Sequence, residues 1–98
     1  MTFTMKFNEE KNELLKVTRN ISFEDVLDAI EKDKLLADIT HPSKMHSHQR
    51  IYVIIIKEYV YAVPYVINKE KNEIFLKTIY PSRFLTKKYM KGGKNAKK

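Results

Sequence analysis

The first third of the chain places apolar residues at helical spacing. Asn8, followed by two glutamates, predicts the N-cap of a helix over residues 9–18, because acids in the first turn complement the helix dipole. Ser22, with Asp25 three residues later, predicts a capping box and the start of a second helix. The apolar stripe expected to face the core of this helix is Phe23, Val26, Leu27 and Ile30,.

Beyond residue 35, β-branched and aromatic residues predominate and the pattern becomes typical of strands,. "LLADIT" predicts a short strand, and "HPSKMHSH" predicts a polar loop. "QRIYVIIIKEYVYAVPYVI" predicts two long strands that meet near Lys57 and Glu58, and "EIFLKTIY" predicts one more. Pro64 has no amide hydrogen, so we expect the second long strand to bulge or to lose pairing there.

The end of the chain predicts a last helix. Pro81 closes the final strand, and Ser82 can cap a helix over residues 82–91, ahead of two glycines,. The order of elements is then two helices, three or four antiparallel strands and a C-terminal helix. This order predicts an α+β fold in a single domain over residues 1–91, followed by a basic disordered tail over residues 92–98.

Composition narrows the functional classes. A chain of 98 residues with 43% apolar content suits one folded domain,. It has no cysteine, which excludes disulfides and cysteine zinc sites, and its only glycines are Gly92 and Gly93, which excludes a glycine-rich phosphate loop within the fold,. The longest apolar run, residues 51–56, is too short for a membrane helix, and the first ten residues show no secretory signal,. We therefore expect a cytoplasmic location.

Positive charge is concentrated at the C-terminal end. The net charge is +7, yet residues 77–98 contain seven lysines and Arg83 with no acid, so the preceding residues sum to −1. A cationic end of this kind favours a polyanionic partner. For residues 91–98 alone, a solubilising disordered tail is an equally good interpretation.

Three histidines, His41, His46 and His48, lie in the polar loop. Residues 39–57 contain no carboxylate, so the sequence favours histidines without a metal. His48 and Arg50, two residues apart at the start of the first long strand, pair a titrating imidazole with a fixed cation, which suits phosphodiester cleavage by proton transfer. An exposed loop histidine beside a surface arginine explains the same residues equally well.

A second group of candidate residues lies where the last strand passes into the last helix. In an extended strand, Lys77 and Ile79 share one face, and Leu76 and Tyr80 share the other,. Neither face is then fully apolar, because Lys77 and Thr78 lie in the middle of the strand. We therefore expect an edge that carries both cations and hydroxyl groups.

The helix that follows adds Arg83, with Thr86 and Lys87 close to it at helical spacing,. An arginine fork matches phosphate geometry, and Tyr80 can stack on a base or bind a phosphate. The alternative interpretation is a helix that only covers the sheet. The apolar residues for that role would be Phe84, Leu85 and Met90.

Four short motifs occur in an order that resembles a known family. "FNEEKNELL" resembles a helix start with an aromatic, an Asp and a Lys, with Asn8 in place of the Asp, and "NISFEDVL" resembles Gly-Val-Ser-Phe-Glu-Glu-Ala. "HSHQR" resembles a histidine-rich loop before Glu-Arg, with Gln49 in place of the Glu. "YPSRFLT" resembles Ser-Ala-Arg-x-Ala-Thr, matching at Arg83 and Thr86 but not at the two residues before Arg83. Together these motifs resemble the BrnT family, ribonuclease toxins of type II toxin–antitoxin systems with a RelE-like fold.

The resemblance implies a metal-independent endoribonuclease without a cofactor, in which the 2′-hydroxyl of the RNA attacks the adjacent phosphate. It implies that His48 acts as base or acid, that Arg50 and Arg83 clamp phosphate, and that Tyr80 stacks or donates a proton. Lys77, Thr86 and Lys87 would contact the RNA.

The resemblance also implies a protein partner. This would be a cognate antitoxin, a small DNA-binding protein of the ribbon-helix-helix type or similar, which neutralises the basic edge and brings promoter DNA to the complex. Two other interpretations remain. The chain can be a nucleic-acid-binding module without catalysis, or a protein-interaction domain whose basic edge docks an acidic partner.

Overall fold

The fold is α+β, as the sequence predicted. It was analysed in a computed structural model that describes residues 3–40, 45 and 49–91. No helix among these residues is long and apolar enough to cross a membrane. In chain order the elements are β1 (Thr4–Phe7), α1 (Glu9–Arg19), α2 (Phe23–Glu31), β2 (Leu35–Thr40), β3 (Arg50–Ile56), β4 (Tyr59–Asn68), β5 (Glu73–Leu76), β6 (Tyr80–Pro81), α3 (Arg83–Thr86) and a π-helical turn (Lys87–Lys91).

The sheet is larger than predicted and mixed. Its strand order is β1-β5-β4-β3-β2, with the two-residue β6 also paired to β4. β1 runs parallel to β5, and the other pairs are antiparallel. The prediction of three or four antiparallel strands was therefore wrong. β1 has only four residues, too few for an alternating pattern to stand out, and it precedes the helix that was expected to come first.

The irregularity expected at Pro64 is present, but the extra residue lies in the facing strand. Tyr61 and Ala62 pair with β6, and the residues after Pro64 pair with β5. Between these two pairings, three residues (77–79) lie opposite only two residues of β4 (63 and 64). The carbonyl of Pro64 accepts a hydrogen bond from the Lys77 amide at 2.8 Å. The nitrogen of a strand residue points to the same side as its carbonyl, so the missing N–H of Pro64 falls where the ladder is interrupted.

This bulge changes which residues share a face. Leu76 and Ile79 are both fully buried in the same apolar cluster, whereas Tyr80 belongs to the cluster on the other side of the sheet. The expectation that Leu76 and Tyr80 share a face was therefore wrong, because it assumed an uninterrupted strand. Arg19, at the end of α1, donates to the Ile79 carbonyl at 2.7 Å and fixes the bulge to the helix.

Two apolar clusters lie on opposite faces of the sheet. On the α1/α2 face, both helices cover alternate residues of β3 and β4. On the α3 face, a much smaller cluster lies under one helical turn. The buried residues of the α3 face are Ile51, Val53, Val60, Ala62 and Leu85.

Hydrogen bonds join the two helices of the α1/α2 face. The side chain of Asn8 accepts from the Lys11 amide at 2.8 Å, and Ser22 forms the predicted capping box with Asp25. Asn12 is fully buried: its amide nitrogen donates to Glu24 at 2.9 Å, and its oxygen accepts from the Phe23 amide at 2.7 Å. The first turn of α2 is therefore held by α1.

Candidate nucleic-acid interface

Among the residues whose burial the structure describes, the C-terminal part of the fold exposes four cations. Lys77, Arg83, Lys87 and Lys88, hereafter the C-terminal cations, are all exposed. None of them forms an ion pair within the described part of the chain, and residues 77–91 contain no acid. Because no carboxylate neutralises these charges, this surface is suited to an anionic ligand.

The short helix α3 is held by few contacts. Ser82 caps it by accepting from the Leu85 amide at 3.0 Å, and Leu85 is the buried residue that packs on the sheet. Tyr80 and Tyr89 pack, partly buried, beside the same cluster. Phe84 is 72% exposed, so the prediction that it covers the sheet was wrong. The side chain of Met90, predicted for the same role, lies outside the described set.

Thr86 has a structural role. Its hydroxyl donates to the Ser82 carbonyl at 2.7 Å and accepts from the Val60 amide at 3.2 Å. These two bonds close the helical turn and tie it to the start of β4. The hydroxyl predicted to contact RNA is therefore already used by the fold.

Arg50 lies in a polar cluster on the α1/α2 face that the sequence did not predict. We call Asp38, Arg50, Tyr52 and Tyr65 the tyrosine–aspartate cluster. The Arg50 Nε donates to the Asp38 carboxylate at 3.0 Å and its Nη2 to the Asp38 carbonyl at 2.8 Å. The Tyr65 hydroxyl lies 2.7 Å from both carboxylate oxygens, and its ring stacks on Tyr52 at 4.0 Å between centroids.

Burial raises the pKa of both phenols in this cluster. Tyr65 is 2% exposed; its burial, and then its hydrogen bond to Asp38, raise the pKa of the phenol well above its ordinary value,. Burial also raises the pKa of Tyr52, and the hydrogen bond to Asp38 raises the pKa of Arg50. The cluster therefore holds a salt bridge and two neutral phenols at physiological pH, an arrangement that fastens β2 to β3 and β4.

The two predicted arginines lie on opposite faces of the sheet. Arg50 shares the α1/α2 face with Tyr65, while Arg83 starts the helix on the α3 face. On β4, Arg50 pairs with Tyr65, whereas Tyr80 pairs with Ala62. These two pairing positions are three residues apart, which corresponds to about 10 Å along the strand,. The fold thus brings Tyr80, Arg83 and Lys87 into one segment and does not bring Arg50 to them.

Asp38 and Tyr65 were missed for different reasons. Asp38 falls in a strand whose other residues are mostly apolar, so its spacing gave no sign of a partner 27 residues away. Tyr65 follows Pro64 and was interpreted only as a strand residue. The one available signal was that Asp38 and Arg50 lie in adjacent strands at positions whose side chains can face the same side of the sheet. This signal becomes informative only once the register of the two strands is known.

A groove of about 420 Å³ lies beside Lys77. It is lined by Asn8, Glu10, Lys11, Leu14, Phe75 and Lys77. Two smaller cavities, of about 270 and 250 Å³, lie beside Lys57 along α2 and contain acids as well as lysines. The groove is therefore lined by one of the C-terminal cations, Lys77.

The histidines fall outside this description. His41, His46 and His48 lie beyond the described residues, so the predicted role of His48 has no geometry to support it. Within the described ranges, no three side chains of His, Cys, Asp or Glu come together as a metal site requires. Compared with models of known protein families, with curated proteins and with solved structures, the chain shows no significant match. The likeness to the BrnT family thus rests on the short motifs alone.

Proposed function

We propose that this chain acts on RNA as the toxin of a type II toxin–antitoxin pair, a metal-independent endoribonuclease with a BrnT-like, RelE-like fold. The observation that carries the proposal is the set of C-terminal cations, exposed and without ion pairs in the described part of the fold. Elsewhere Lys6, Lys16, Lys32 and Arg50 each pair with a carboxylate.

In the proposed reaction, the 2′-hydroxyl of one ribose attacks its own 3′-phosphate, and the bond to the next 5′-oxygen breaks. Arg83 places its planar donors against the phosphate and offsets the charge that develops on its oxygens. Lys87 and Lys88 hold the neighbouring phosphates, and the partly buried ring of Tyr80 supports the segment from which Arg83 projects. The proton transfers are assigned to His48, as the resemblance implies.

A partner follows from the same surface. An uncovered cationic toxin surface requires an acidic partner to neutralise it, and the proposed partner is a small DNA-binding antitoxin, which also brings promoter DNA to the complex. The protein itself is assigned no DNA site. Co-expression with the product of the adjacent reading frame should mask the C-terminal cations and restore growth.

The test is RNA cleavage by the purified protein in EDTA. We expect products with 2′,3′-cyclic phosphate and 5′-hydroxyl ends, and no cleavage of a substrate that carries 2′-deoxyribose throughout. Arg83→Ala should lower the rate about 100-fold, the scale of losing one charge-stabilising donor. Lys71→Ala, which removes an exposed cation from the β4–β5 turn, should cleave like wild type. Intact RNA with wild-type protein, together with normal growth on expression, would contradict the proposal.

A second candidate function is RNA binding without cleavage. It is favoured by the observation that Arg50 and Thr86 are already bound within the fold, which leaves cations but no described acid–base pair on the α3 face. This alternative predicts salt-sensitive RNA binding with no products in the same assay.

A further inference from the structure

The groove beside Lys77 lies at one end of the sheet. There β1 and β5 end side by side, and β1 leads into α1. Phe75 and Lys77 line it from the strand side, and Lys11 and Leu14 line it from α1. With a volume of about 420 Å³, the groove is large enough for a flat ring system of the size of a nucleobase,.

Two apolar side chains in the groove are not used by the core. Leu14 is 55% exposed, the Phe75 ring is only partly buried, and neither belongs to either apolar cluster. Leu15, the next residue, is buried in the core, so the side of α1 that carries Leu14 is not its core-facing side. Leu14 and Phe75 therefore offer apolar surface to the groove itself.

The charges around this apolar surface are mainly positive. The Lys77 Nζ lies 5.6 Å from the centroid of the Phe75 ring, and the backbone of Lys77 is held by its hydrogen bond to Pro64. Lys11 adds a second ammonium from the helix side, and Glu10 is the one carboxylate among the lining residues. An aromatic ring flanked by ammonium groups is the combination that binds the base and the phosphate of a single-stranded nucleic acid.

We propose that this groove is a subsite for one nucleotide of a single-stranded RNA. The base stacks on Phe75 against Leu14, its amino edge donates to Glu10, and Lys77 moves from the ring to the adjoining phosphate. This assignment rests on the proposed function, because Lys77 is also the first of the C-terminal cations. It adds a substrate-positioning site on the far side of the bulge from α3.

The test compares two ligands of equal length, a ten-nucleotide single-stranded RNA and an oligomer of abasic ribose phosphates. Phe75→Leu keeps apolar bulk but removes the ring, so it should weaken RNA binding about five- to tenfold and leave binding of the abasic oligomer unchanged. Leu14→Glu, on the helix surface, should weaken both by charge repulsion. Phe3→Leu changes an exposed phenylalanine at the other end of β1 and should change neither.

Two outcomes decide the subsite independently of the proposed function. If Phe75→Leu and Leu14→Glu both bind RNA as wild type does, while Arg83→Ala still lowers the cleavage rate about 100-fold, the subsite is overturned and the ribonuclease proposal stands. If millimolar 5′-AMP shifts the backbone amide resonances of Leu14 and Phe75 in a protein that does not cleave RNA, the subsite stands and the ribonuclease proposal fails. Thermal unfolding of each variant shows whether it is folded.

Discussion

The two faces of the sheet treat their polar residues differently. On the α1/α2 face, polar side chains bind one another or the backbone: Asn12 joins Glu24 and Phe23, and Asp38 joins Arg50 and Tyr65. On the α3 face, one helical turn rests on Leu85, and three of the C-terminal cations, Arg83, Lys87 and Lys88, extend from this helical segment without an ion pair to a described carboxylate. The polar groups named on the first face thus stabilise the fold, whereas the C-terminal cations remain available to a ligand.

Several residues of the motifs that resemble the BrnT family lie on the α1/α2 face. In "ISFED", Ile21 and Phe23 are buried, and Ser22 and Asp25 form the capping box. Phe7, from the first motif, stacks on Phe23 with 4.9 Å between ring centroids. These motif residues therefore have structural roles in this fold. The proposed activity depends on the other face.

The largest expected effect is at Asn12 on the α1/α2 face. Asn12→Ala leaves the Phe23 amide and the Glu24 carboxylate without their partner, so the free energy of unfolding should fall by about 3 kcal/mol,. Urea unfolding measures the change. Glu13→Ala, which removes an exposed ion pair on the same helix, should change it by less than about 0.5 kcal/mol,. Equal effects of the two variants would show that Asn12 does not hold the helices together.

Tyr65→Phe tests the tyrosine–aspartate cluster and should be next in size. Loss of the hydrogen bond to a charged Asp38 should cost about 1.5 kcal/mol of unfolding free energy at pH 7,. The raised pKa of Tyr65 adds a pH dependence, because above about pH 10 the unfolded chain loses the phenol proton while the folded chain keeps it,.

Above about pH 10, the free energy of unfolding should therefore fall more steeply for the wild type than for Tyr65→Phe, by up to about 1.4 kcal/mol per pH unit. The difference in unfolding free energy between the two proteins should then shrink as the pH rises. Urea unfolding at pH 7, 10 and 11 measures both slopes. Parallel slopes would mean that the Tyr65 phenol ionises equally in the folded and unfolded chain.

Thr86→Val separates the structural role of Thr86 from the predicted contact with RNA. Loss of the bonds to Ser82 and Val60 should lower the free energy of unfolding by about 1 kcal/mol, and Thr86→Ser, which keeps the hydroxyl, should restore most of it,. Neither variant should change the salt dependence of RNA binding. An RNA affinity that falls for folded Thr86→Val but is kept in Thr86→Ser would return Thr86 to the RNA-binding residues.

The smallest expected effect lies in the β3–β4 turn. Lys57 and Glu58 both have positive φ, 55° and 66°, which costs energy for residues other than glycine,. Glu58→Gly should raise the free energy of unfolding by about 0.5 kcal/mol while leaving the Lys57 bond to the Asn20 carbonyl in place,. Asp28→Gly, in the middle of a helix, is the opposite control and should destabilise by about 1 kcal/mol.

Local rules predicted the fold best where the signal lies within one element. The caps at Asn8, Ser22 and the last helix were correct because each depends on residues three apart. The irregularity at Pro64 was predicted because proline cannot donate a hydrogen bond to a neighbouring strand, whichever strand that is. The faces of Leu76 and Tyr80 were wrong because the bulge that decides them depends on the register of two strands.

The candidate site was predictable only in part for the same reason. Charge counting along the chain identified Lys77, Arg83 and Lys87, which are exposed. The family resemblance grouped Arg50 with Arg83 as a phosphate clamp, but the sheet places Arg50 on the other face with Asp38. Long-range pairing, such as Tyr65 with Asp38, is fixed by topology and leaves no short-range pattern in the sequence.

We propose that RNA binds the C-terminal cations because they lack carboxylate partners. The most direct test is the salt dependence of single-stranded RNA binding by Arg83→Gln/Lys87→Gln, compared with Lys16→Gln/Lys32→Gln, whose lysines pair with Glu13 and Asp28. We expect the slope of log K against log salt to become shallower by about 1.4 in the first double variant, about 0.7 for each lost phosphate contact, and to stay at the wild-type value in the second. Equal slopes in all three proteins would contradict the account.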